Sequence, residues 1–302
     1  MAARLRSVVQ RLAGQVSAGL SLLGDRGGSS LGIFTYHRIA PRIAGVDEPT
    51  INVTPDSFRR QLVGLRDRGY QFWPLTRAIE QIAREESLPK KVAVITFDDG
   101  YESVYLNAWP VLRELAIPAT VFLNTAYLDS KSPFPFDRWG LAQQSRTPSM
   151  AWQPLRWSQC HEMFDSGLIE LGAHTHTHGD FRNRPDDFAI DLRENVAALQ
   201  HEFSIQRPSF AFPFGRWHLG YVSEPLLAAA RDCGVSCALT TECELVRTGD
   251  DPFGLGRFTV YDWDSPATLA ARLRGWYGWA TRWQNRLALP KPLAAPQPEV
   301  AR

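Results

Sequence analysis

Short apolar runs alternate with amphipathic segments between residues 31 and 260, and this alternation constrains the fold more than any other feature of the sequence. The apolar runs have the length of strands, and the segments between them have helical periodicity. Strands separated by helices pair in parallel, so the pattern predicts an α/β fold with helices packed outside a sheet. Strands are predicted at 31–36, 70–73, 91–97, 118–124, 167–173, 208–213, 235–240 and 256–260, and helices at 55–68, 76–86, 102–115, 186–204, 222–233 and 266–285.

Two architectures satisfy this alternation, a (β/α) barrel and an open doubly wound sheet. No predicted strand is followed by a GxGxxG or GxxxxGK motif, so a dinucleotide-binding or P-loop fold lacks its main sequence support. The chain has 33 Lys and Arg residues against 32 Asp and Glu residues. This balance disfavours a broad nucleic-acid-binding surface, and we predict no nucleic-acid partner.

Side chains suited to metal binding and catalysis follow four of the predicted strands. In a parallel barrel the carboxyl ends of all strands lie at one rim, where the loops after the strands form the active site. We therefore expect these side chains to meet at that rim. They are His37 after 31–36, Asp98 and Asp99 after 91–97, His174, His176 and His178 after 167–173, and Phe214 after 208–213.

The spacing of His174 and His178 allows both imidazoles to converge on one ion, whether the segment is a helical turn or a compact loop. With one carboxylate they would form a site that leaves coordination positions for water and substrate. Asp98 and Asp99 are adjacent and point in different directions, so one can bind the ion while the other stays free as a base. Each residue alone is also explained as a capping Asp or a hydrogen-bonded core His, but their joint occurrence favours a metal site.

Three motifs, TFDDG (96–100), HTHTH (174–178) and FPFG (212–215), resemble those of the NodB-homology polysaccharide deacetylases, carbohydrate esterase family four. The resemblance implies a single-domain, distorted (β/α) barrel of about seven or eight parallel strands. It also implies metal-dependent hydrolysis that removes an N-acetyl or O-acetyl group from a saccharide, such as an amino sugar in a polysaccharide or glycan precursor.

The same resemblance implies a role for each site residue. Asp98 would act as the general base. The ligands of Zn²⁺, or of another divalent transition metal such as Co²⁺ or Ni²⁺, would be Asp99, His174 and His178. The backbone N–H of Phe214 would help to stabilise the tetrahedral oxyanion.

The chain departs from the family pattern in two places. The third motif usually begins with an Arg that pairs with the catalytic base, but Ala211 stands here, and we predict that Arg257 replaces that Arg. The acid-supplying His near the C-terminus is also missing, because no His follows His218. Family members that open with a strand ending in Tyr-His resemble a permuted arrangement, so His37 is our predicted general acid, ahead of His218.

The segment 129–157 is rich in aromatic residues, and aromatic rings in a loop beside the site would stack on sugar rings. We predict a saccharide partner held there by Trp139 and Asp137, with Trp152 and Trp157 nearby. The alternative is that these rings pack the segment against the barrel. Further along, Trp276, Trp279 and Trp283 recur at spacings of three and four and favour a buried helix face.

The first residues form a predicted amphipathic helix that contains Arg4, Arg6 and Arg11 and no acidic residue before Asp25. Its apolar residues are interleaved with polar ones, which disfavours a signal peptide. We divide the chain into a helix and linker (1–27), the barrel domain (28–288) and a disordered tail (289–302).

The N-terminal helix either packs on the outside of the domain or makes a peripheral membrane contact through residues 1–23. The predicted localisation is accordingly cytoplasmic or membrane-peripheral, and secretion stays an alternative.

Two rival functions are open. The pair His174 and His176 forms an HxH motif typical of amidohydrolase barrels, but that superfamily places the motif near the start of the chain and needs further His ligands from later strands. The other rival is a non-catalytic saccharide-binding or scaffold protein with a degenerate site, for which Ala211 is the best argument. The joint presence of the predicted base, acid and metal ligands favours the enzyme.

Overall fold

The structure is a computed structural model that describes residues 2–49 and 51–277. Its strands are β1 (Ser30–Tyr36), β2 (Arg38–Ile39), β3 (Asn52–Val53), β4 (Gln71–Phe72), β5 (Val92–Phe97), β6 (Ala119–Leu123), β7 (Ile169–Ala173), β8 (Phe210–Ala211), β9 (Ala238–Leu239), β10 (Val246–Arg247), β11 (Phe253–Leu255) and β12 (Phe258–Thr259). Its α-helices are α1 (Ala2–Leu20), α2 (Pro55–Arg66), α3 (Leu75–Ala83), α4 (Trp109–Leu115), α5 (Arg138–Gln143), α6 (Trp157–Asp165), α7 (Pro185–Phe203), α8 (Glu224–Asp232) and α9 (Pro266–Leu273).

The main sheet runs in the order β1-β5-β6-β7-β8-β9-β11, and all neighbours in this run are parallel. The segment from β11 to β12 almost closes the sheet into a ring, because β11 pairs with β9 and β12 pairs with β1. We call this segment the seam. The strand β10 lies antiparallel to β1, and β4 lies beside β5. The predicted distorted (β/α) barrel is therefore confirmed.

The barrel core begins with the central strands β1 and β5, which are buried along their whole lengths. Strands covered on both faces are expected to be continuously apolar, as these two nearly are. On the helix side, Phe58 of α2 meets Tyr36 edge to face, with ring centroids 5.1 Å apart, and lies 5.7 Å from Phe97. This aromatic cluster attaches α2 to the sheet.

The helix α2 begins where the sequence predicts. The hydroxyl of Thr54 accepts a hydrogen bond from the backbone N–H of Ser57, and Pro55 occupies the first helical position. The chain leaves the helix at Arg66 and turns at Gly69, whose φ of 81° is readily adopted by glycine.

The predicted helix 102–115 is interrupted, because residues Val104–Ala108 form a π-helical turn before α4 starts. Pro110 explains the change. Its nitrogen carries no hydrogen, and its ring collides with the carbonyl four residues earlier in a regular α-helix, so the preceding turn widens.

Two short helices, α5 and α6, lie where the sequence analysis placed no helix. Farther on, α9 ends at Leu273, and Gly275 follows with a φ of 77°. Residues 274–277 were predicted to be helical but form a turn, in which Trp276 is buried. The rest of the predicted helix, 278–285 with Trp279 and Trp283, lies outside the described residues, as does the predicted disordered tail 289–302.

The predicted amphipathic N-terminal helix is present as α1. Ala13 and Ser17 are buried on its inner side, where an added Cβ on Gly14 would lie 3.5 Å from the Thr268 side chain of α9. None of the helices in the described ranges has both the length and the hydropathy needed to cross a membrane.

The close packing of α2 on α9 gives a stability prediction. A Cβ added to Gly64 would lie 2.3 Å from the Pro266 ring, whereas nothing lies within 4 Å of a Cβ added to Gly19. We expect Gly64→Val to lower the free energy of unfolding by about 1–3 kcal/mol through overpacking. Gly19→Val, the matched control in another helix, should change it by less than about 0.5 kcal/mol. Urea unfolding followed by circular dichroism measures both, and equal effects would contradict the proposed contact.

Candidate functional site

The predicted site residues converge at the carboxyl ends of neighbouring strands. Asp98 and Asp99 follow β5, and His37 follows β1, which pairs with β5 in register. His174 begins the loop after β7, two strands further around the barrel. Parallel pairing therefore brings together residues that are far apart in the sequence.

Asp99, His174 and His178 form a buried cluster with the composition of a metal site. The Oδ1 atom of Asp99 lies 3.4 Å from Nε2 of His174 and 3.5 Å from Nε2 of His178. One ligand atom from each residue lies within 4.8 Å of the other two. Among the described residues no hydrogen-bond donor serves the buried Oδ1 of Asp99, as expected of an atom that faces a cation.

The surrounding protein holds this cluster in a form that can bind metal. Nδ1 of His174 lies 2.7 Å from the carbonyl oxygen of Ala211 and therefore donates to it, which leaves the Nε2 lone pair free. Burial lowers the pKa of His178 to about 4, so its imidazole is neutral at neutral pH. Burial lowers the pKa of His174, but the attraction of Asp98 and Asp99 outweighs this effect and raises it above its ordinary value, so a cation that binds there would displace a proton. A carboxylate and two imidazoles are suitable ligands for a divalent transition metal, and the residues present fit such an ion.

Two polar residues of α7 support the histidine loop. The carboxylate of Asp191 accepts hydrogen bonds from the backbone N–H of His176 at 2.6 Å and of Thr177 at 3.1 Å. The side chain of Asn195 accepts one from the N–H of His174 at 2.9 Å. The sequence analysis missed both residues, although two polar side chains four apart on the buried face of a helix were a usable signal.

Asp98 is held by Arg257, the residue predicted to replace the Arg missing at Ala211. Nη1 of Arg257 donates to Oδ1 of Asp98 at 2.6 Å, and Nη2 donates to Oδ2 at 2.8 Å. Arg257 is fully buried, and its Nε donates to the carbonyl oxygen of Thr240 at 2.9 Å. Such a bidentate pair fixes the orientation of the carboxylate as well as its charge.

The charge state of Asp98 follows from two opposing effects. Burial alone would raise its pKa, but the attraction of Arg257, followed by His174 and His37, brings the pKa below its ordinary value. His37 also lies near the carboxylate, with Nε2 3.9 Å from Oδ2 of Asp98. Burial lowers the pKa of His37 against the attraction of Asp99 and Asp98. Its Nδ1 atom is buried without a partner in the described part of the chain.

Phe214 is placed at the edge of the metal cluster, in the turn after β8. Its φ is 62°, an unusual value for a bulky residue. Its ring meets His178 edge to face, with centroids 4.9 Å apart. Within residues 2–49 and 51–277 the backbone N–H of Phe214 forms no hydrogen bond, so it is available to a ligand.

The predicted substrate contact of Asp137 requires correction. Asp137 is buried; its Oδ1 accepts from the N–H of Gly140, and its Oδ2 accepts from the buried guanidinium of Arg38. Both carboxylate oxygens are thus used inside the protein. The sequence does not distinguish this internal ion pair from an Asp that faces a ligand.

The predicted sugar platform in 129–157 is a packed segment in the structure. Trp139 lies under the guanidinium of Arg38, and its Nε1 donates to the carbonyl oxygen of Asp47. Trp152 is buried, and Trp157 packs on Phe203 with ring centroids 6.0 Å apart. The packing alternative describes these three rings better than the binding one.

One aromatic residue of that segment does reach the site. The ring of Phe136 stacks on the imidazole of His178, with centroids 3.9 Å apart and an interplanar angle of 21°. His218, the less favoured acid, lies in an exposed turn at Trp217–Leu219. The structure therefore brings His37 to Asp98 and leaves His218 at the surface.

Comparisons with known proteins agree with this geometry. A family model described as "Polysaccharide deacetylase" matches residues 85–238. The poly-beta-1,6-N-acetyl-D-glucosamine N-deacetylase of Staphylococcus epidermidis is 24% identical over 244 residues, which cover 74% of this chain and 77% of the relative.

Solved structures give the same result. IcaB from Ammonifex degensii superposes with a TM-score of 0.67 and 28% identity, covering 82% of this chain and 98% of that chain. The Streptococcus pyogenes deacetylase PplD, solved in complex with acetate, matches with a TM-score of 0.65 and 22% identity, covering 81% of this chain and 98% of that chain. At that lower identity the second match shows the fold alone.

The Arg257–Asp98 pair yields a prediction independent of activity. Arg257→Met leaves Asp98 buried without a partner and should lower the free energy of unfolding by about 3–5 kcal/mol. Combining it with Asp98→Asn removes the unpaired charge and should recover part of this loss. Urea unfolding measures each variant.

A matched control is Arg59→Met, which breaks the exposed ion pair with Glu114 and should leave stability unchanged. If the double variant is as unstable as Arg257→Met alone, the stabilisation that Arg257 gives the fold does not come from its pairing with Asp98.

Proposed function

The chain belongs to the polysaccharide deacetylase family, whose members hydrolyse the acetyl amide of a saccharide, and we propose that it removes N-acetyl groups with the site around Asp98. One observation carries the assignment of the site. The buried, bidentate Arg257–Asp98 pair lies beside the cluster of Asp99, His174 and His178. A fixed carboxylate next to a metal-binding set supplies the base and the cation for a metal-assisted attack of water on an amide.

Asp98 acts as the general base in this proposal. Arg257 keeps its carboxylate ionised and oriented, so that it can accept a proton from the water that attacks the amide carbonyl carbon. A divalent cation bound by Asp99, His174 and His178 would polarise the carbonyl and lower the pKa of the water. The ligand set favours Zn²⁺, with Co²⁺ or Ni²⁺ as alternatives.

His37 is the proposed general acid. It donates a proton to the amide nitrogen as the carbon–nitrogen bond breaks, which yields acetate and a free amino sugar. Nε2 of His37 lies 3.9 Å from Oδ2 of Asp98, which supports the assignment of these two residues as acid and base for one amide. The N–H of Phe214, which forms no hydrogen bond within the described residues, would donate to the oxyanion as the carbonyl carbon becomes tetrahedral.

This arrangement also weakens the non-catalytic alternative. The best argument for a degenerate site is the Ala at position 211, where the family usually has an Arg. Arg257 supplies a guanidinium to Asp98 from the seam, between β11 and β12, so the positive charge beside the base is present at another position of the chain. A cation retained beside Asp98 is expected of an active base and favours the enzyme.

For the substrate we propose a β-1,6-linked polymer or oligomer of N-acetylglucosamine. The support is the Staphylococcus epidermidis relative, a poly-beta-1,6-N-acetyl-D-glucosamine N-deacetylase that aligns over most of both chains. The near-neutral charge of this chain is also consistent with an uncharged glycan.

We further propose that the outer face of α1 lies on an anionic membrane surface. Four large apolar side chains between residues 10 and 23, the part of this region whose side chains the structure describes, are exposed: Leu12 and Val16 on α1, at 56% and 50%, and Leu22 and Leu23 in the short turn after it, at 85% and 77%. The same region contains Arg4, Arg6 and Arg11 and no acidic residue. Apolar side chains combined with positive charge favour the headgroup region of anionic lipids, which makes the enzyme membrane-peripheral.

Asp98→Asn and His174→Ala separate catalysis from metal binding. We expect Asp98→Asn to keep its metal and to lose about 10²–10⁴ in turnover, because only the base is removed. His174→Ala removes a ligand and should lose both metal and turnover. Acetate release from a β-1,6-linked N-acetylglucosamine pentasaccharide measures turnover, and plasma mass spectrometry measures metal content.

A chelator should abolish acetate release by the wild-type protein, and added Zn²⁺ should restore it. Full metal occupancy with undiminished activity in either variant would refute the assigned roles.

The membrane proposal is tested with vesicles of phosphatidylcholine and phosphatidylglycerol. Replacing Leu22 and Leu23 by Ser should weaken co-sedimentation at least about tenfold, because two apolar side chains no longer enter the lipid. Ile190→Ser, at a side chain 57% exposed on α7, is the matched control and should not change binding. Equal binding by all three proteins would rule out this surface.

A further inference from the structure

A cavity of about 350 Å³ lies at the amino ends of the barrel strands, at the end of the barrel opposite the metal cluster. Ser30 begins β1, Tyr70 immediately precedes β4, and Lys91 immediately precedes β5. Because these strands are parallel, their first residues meet at one edge, as their last residues meet at the catalytic rim. Arg274 after α9 and the turn that follows α1 complete the lining. We call it the basal cavity.

Hydrogen bonds between the turn after α1 and the end of α9 hold the walls of the basal cavity. The N–H of Arg26 donates to the carbonyl oxygen of Arg274 at 3.0 Å, and Nε1 of Trp276 donates to that of Gly24 at 2.9 Å. Nη1 of Arg274 donates to the carbonyl oxygen of Ser21 at 3.0 Å. The walls are therefore fixed by contacts between two elements that are far apart in the sequence.

The two cations of the basal cavity have no carboxylate partner. Within residues 2–49 and 51–277, neither Lys91 nor Arg274 forms a salt bridge. The ammonium of Lys91 donates to the carbonyl oxygen of Arg68 at 2.8 Å and, with three donors, retains others for a ligand. Asp25 also lines the cavity, where its Oδ1 accepts from the N–H of Gly27 at 2.8 Å. The lining therefore carries a net positive charge.

The hydroxyl of Ser30 adds an uncharged donor to these cations. Ser30 is 5% exposed, and its Oγ atom is buried without a hydrogen-bond partner in the described part of the chain. A buried hydroxyl that lacks a partner lowers stability, so such groups are rare in folded proteins. A Cβ added to Gly27 would lie 3.0 Å from this Oγ, so a side chain at 27 would crowd the hydroxyl. An unpartnered donor beside two unpaired cations points to an anionic ligand.

The residues at the border of the basal cavity narrow the class of anion. Lys and Arg side chains with a hydroxyl are donors suited to phosphate oxygens. Leu22 also lines the cavity and is 85% exposed, and Leu23 beside it is 77% exposed. A cationic pocket bordered by exposed apolar side chains fits a molecule that has both a phosphate group and acyl chains. A small phosphate ester would use the cations but not the two leucines.

We propose that the basal cavity binds the phosphate group of an anionic phospholipid through Ser30, Lys91 and Arg274. The acyl chains of that lipid would lie beside Leu22 and Leu23. The inference rests on the membrane contact proposed above, and it is independent of the deacetylation chemistry at the other end of the barrel. It gives the membrane contact a specific binding site in addition to an apolar surface and a diffuse positive charge.

The test measures co-sedimentation of the full-length protein with vesicles of equal parts phosphatidylcholine and phosphatidylglycerol. Ser30→Ala should weaken binding about fivefold, because it removes a donor without changing the charge. The same variant should not lower the free energy of unfolding in urea, since the hydroxyl has no partner in the described part of the fold.

Removing the cations is the second arm of the test. Lys91→Gln with Arg274→Gln should weaken vesicle binding at least about tenfold. The matched control is Lys90→Gln with Arg193→Gln, which removes the same charge from exposed positions outside the cavity. The control should weaken binding by less than about threefold, because it changes only the diffuse attraction.

A soluble phosphate ester distinguishes the lipid from a free ligand. Calorimetry with glycerol 1-phosphate should give a Kd at least about a hundredfold weaker than that for vesicles, because the ester has no acyl chains. Equal affinities would overturn the assignment to a lipid. An unchanged affinity in Ser30→Ala, or equal losses in the two double variants, would overturn the basal cavity, because diffuse attraction would then explain the binding.

The remaining outcomes separate this inference from the proposed function. Vesicle binding that Ser30→Ala weakens, but that Leu12→Ser with Val16→Ser leaves unchanged, would refute the contact by the outer face of α1 and leave the basal cavity standing. A wild-type protein that binds no vesicles but releases acetate would refute the basal cavity and the membrane contact together, and would leave deacetylation standing.

Discussion

The buried contact between Arg257 and Asp98 joins the closure of the barrel to the chemistry of the site. Arg257 lies in the seam, and its guanidinium makes five hydrogen bonds, to Asp98, Thr240, Thr35 and Thr96. Burying a guanidinium is costly unless its donors are satisfied and its charge is paired. The hydrogen-bond partners of Arg257 lie on β1, on and just after β5, and at the end of β9. Closure of the seam therefore satisfies the buried guanidinium and also orients the base.

The metal cluster depends on loop conformations that a regular strand or helix does not provide. Asp99, Thr175 and His178 have φ values of 72°, 63° and 54°, which residues other than glycine seldom adopt. Such conformations persist where surrounding contacts over-determine them. Asp191 and Asn195 provide these contacts from α7, so a helix that never touches the ion is needed for its ligands to converge.

Periodicity restricted the fold to a (β/α) barrel or a doubly wound sheet, and the resemblance to the deacetylases selected the barrel. In a barrel, parallel pairing fixes where strand ends lie, which was enough to bring His37, Asp98 and His174 together. Arg257 was also predictable, since the missing Arg at 211 left a charge to be supplied. The internal role of Asp137 was not predictable, because an Asp beside aromatic residues has the same pattern in the sequence whether its partner is a ligand or Arg38. Only the packing of the folded chain distinguishes the two cases.

Ala211 is the residue that best connects the departure from the family pattern to the structure. Its side chain is fully buried in the core cluster that contains Phe122, and the guanidinium of Arg257 lies 5.5 Å from the ring centroid of the same Phe122. A long side chain at 211 would enter close-packed space that borders Arg257. The backbone of Ala211 meanwhile keeps a site function, because its carbonyl oxygen orients His174. The small side chain at 211 and the Arg in the seam are therefore linked. The carbonyl oxygen of Ala211 orients the metal ligand His174, and the guanidinium of Arg257 orients the base Asp98.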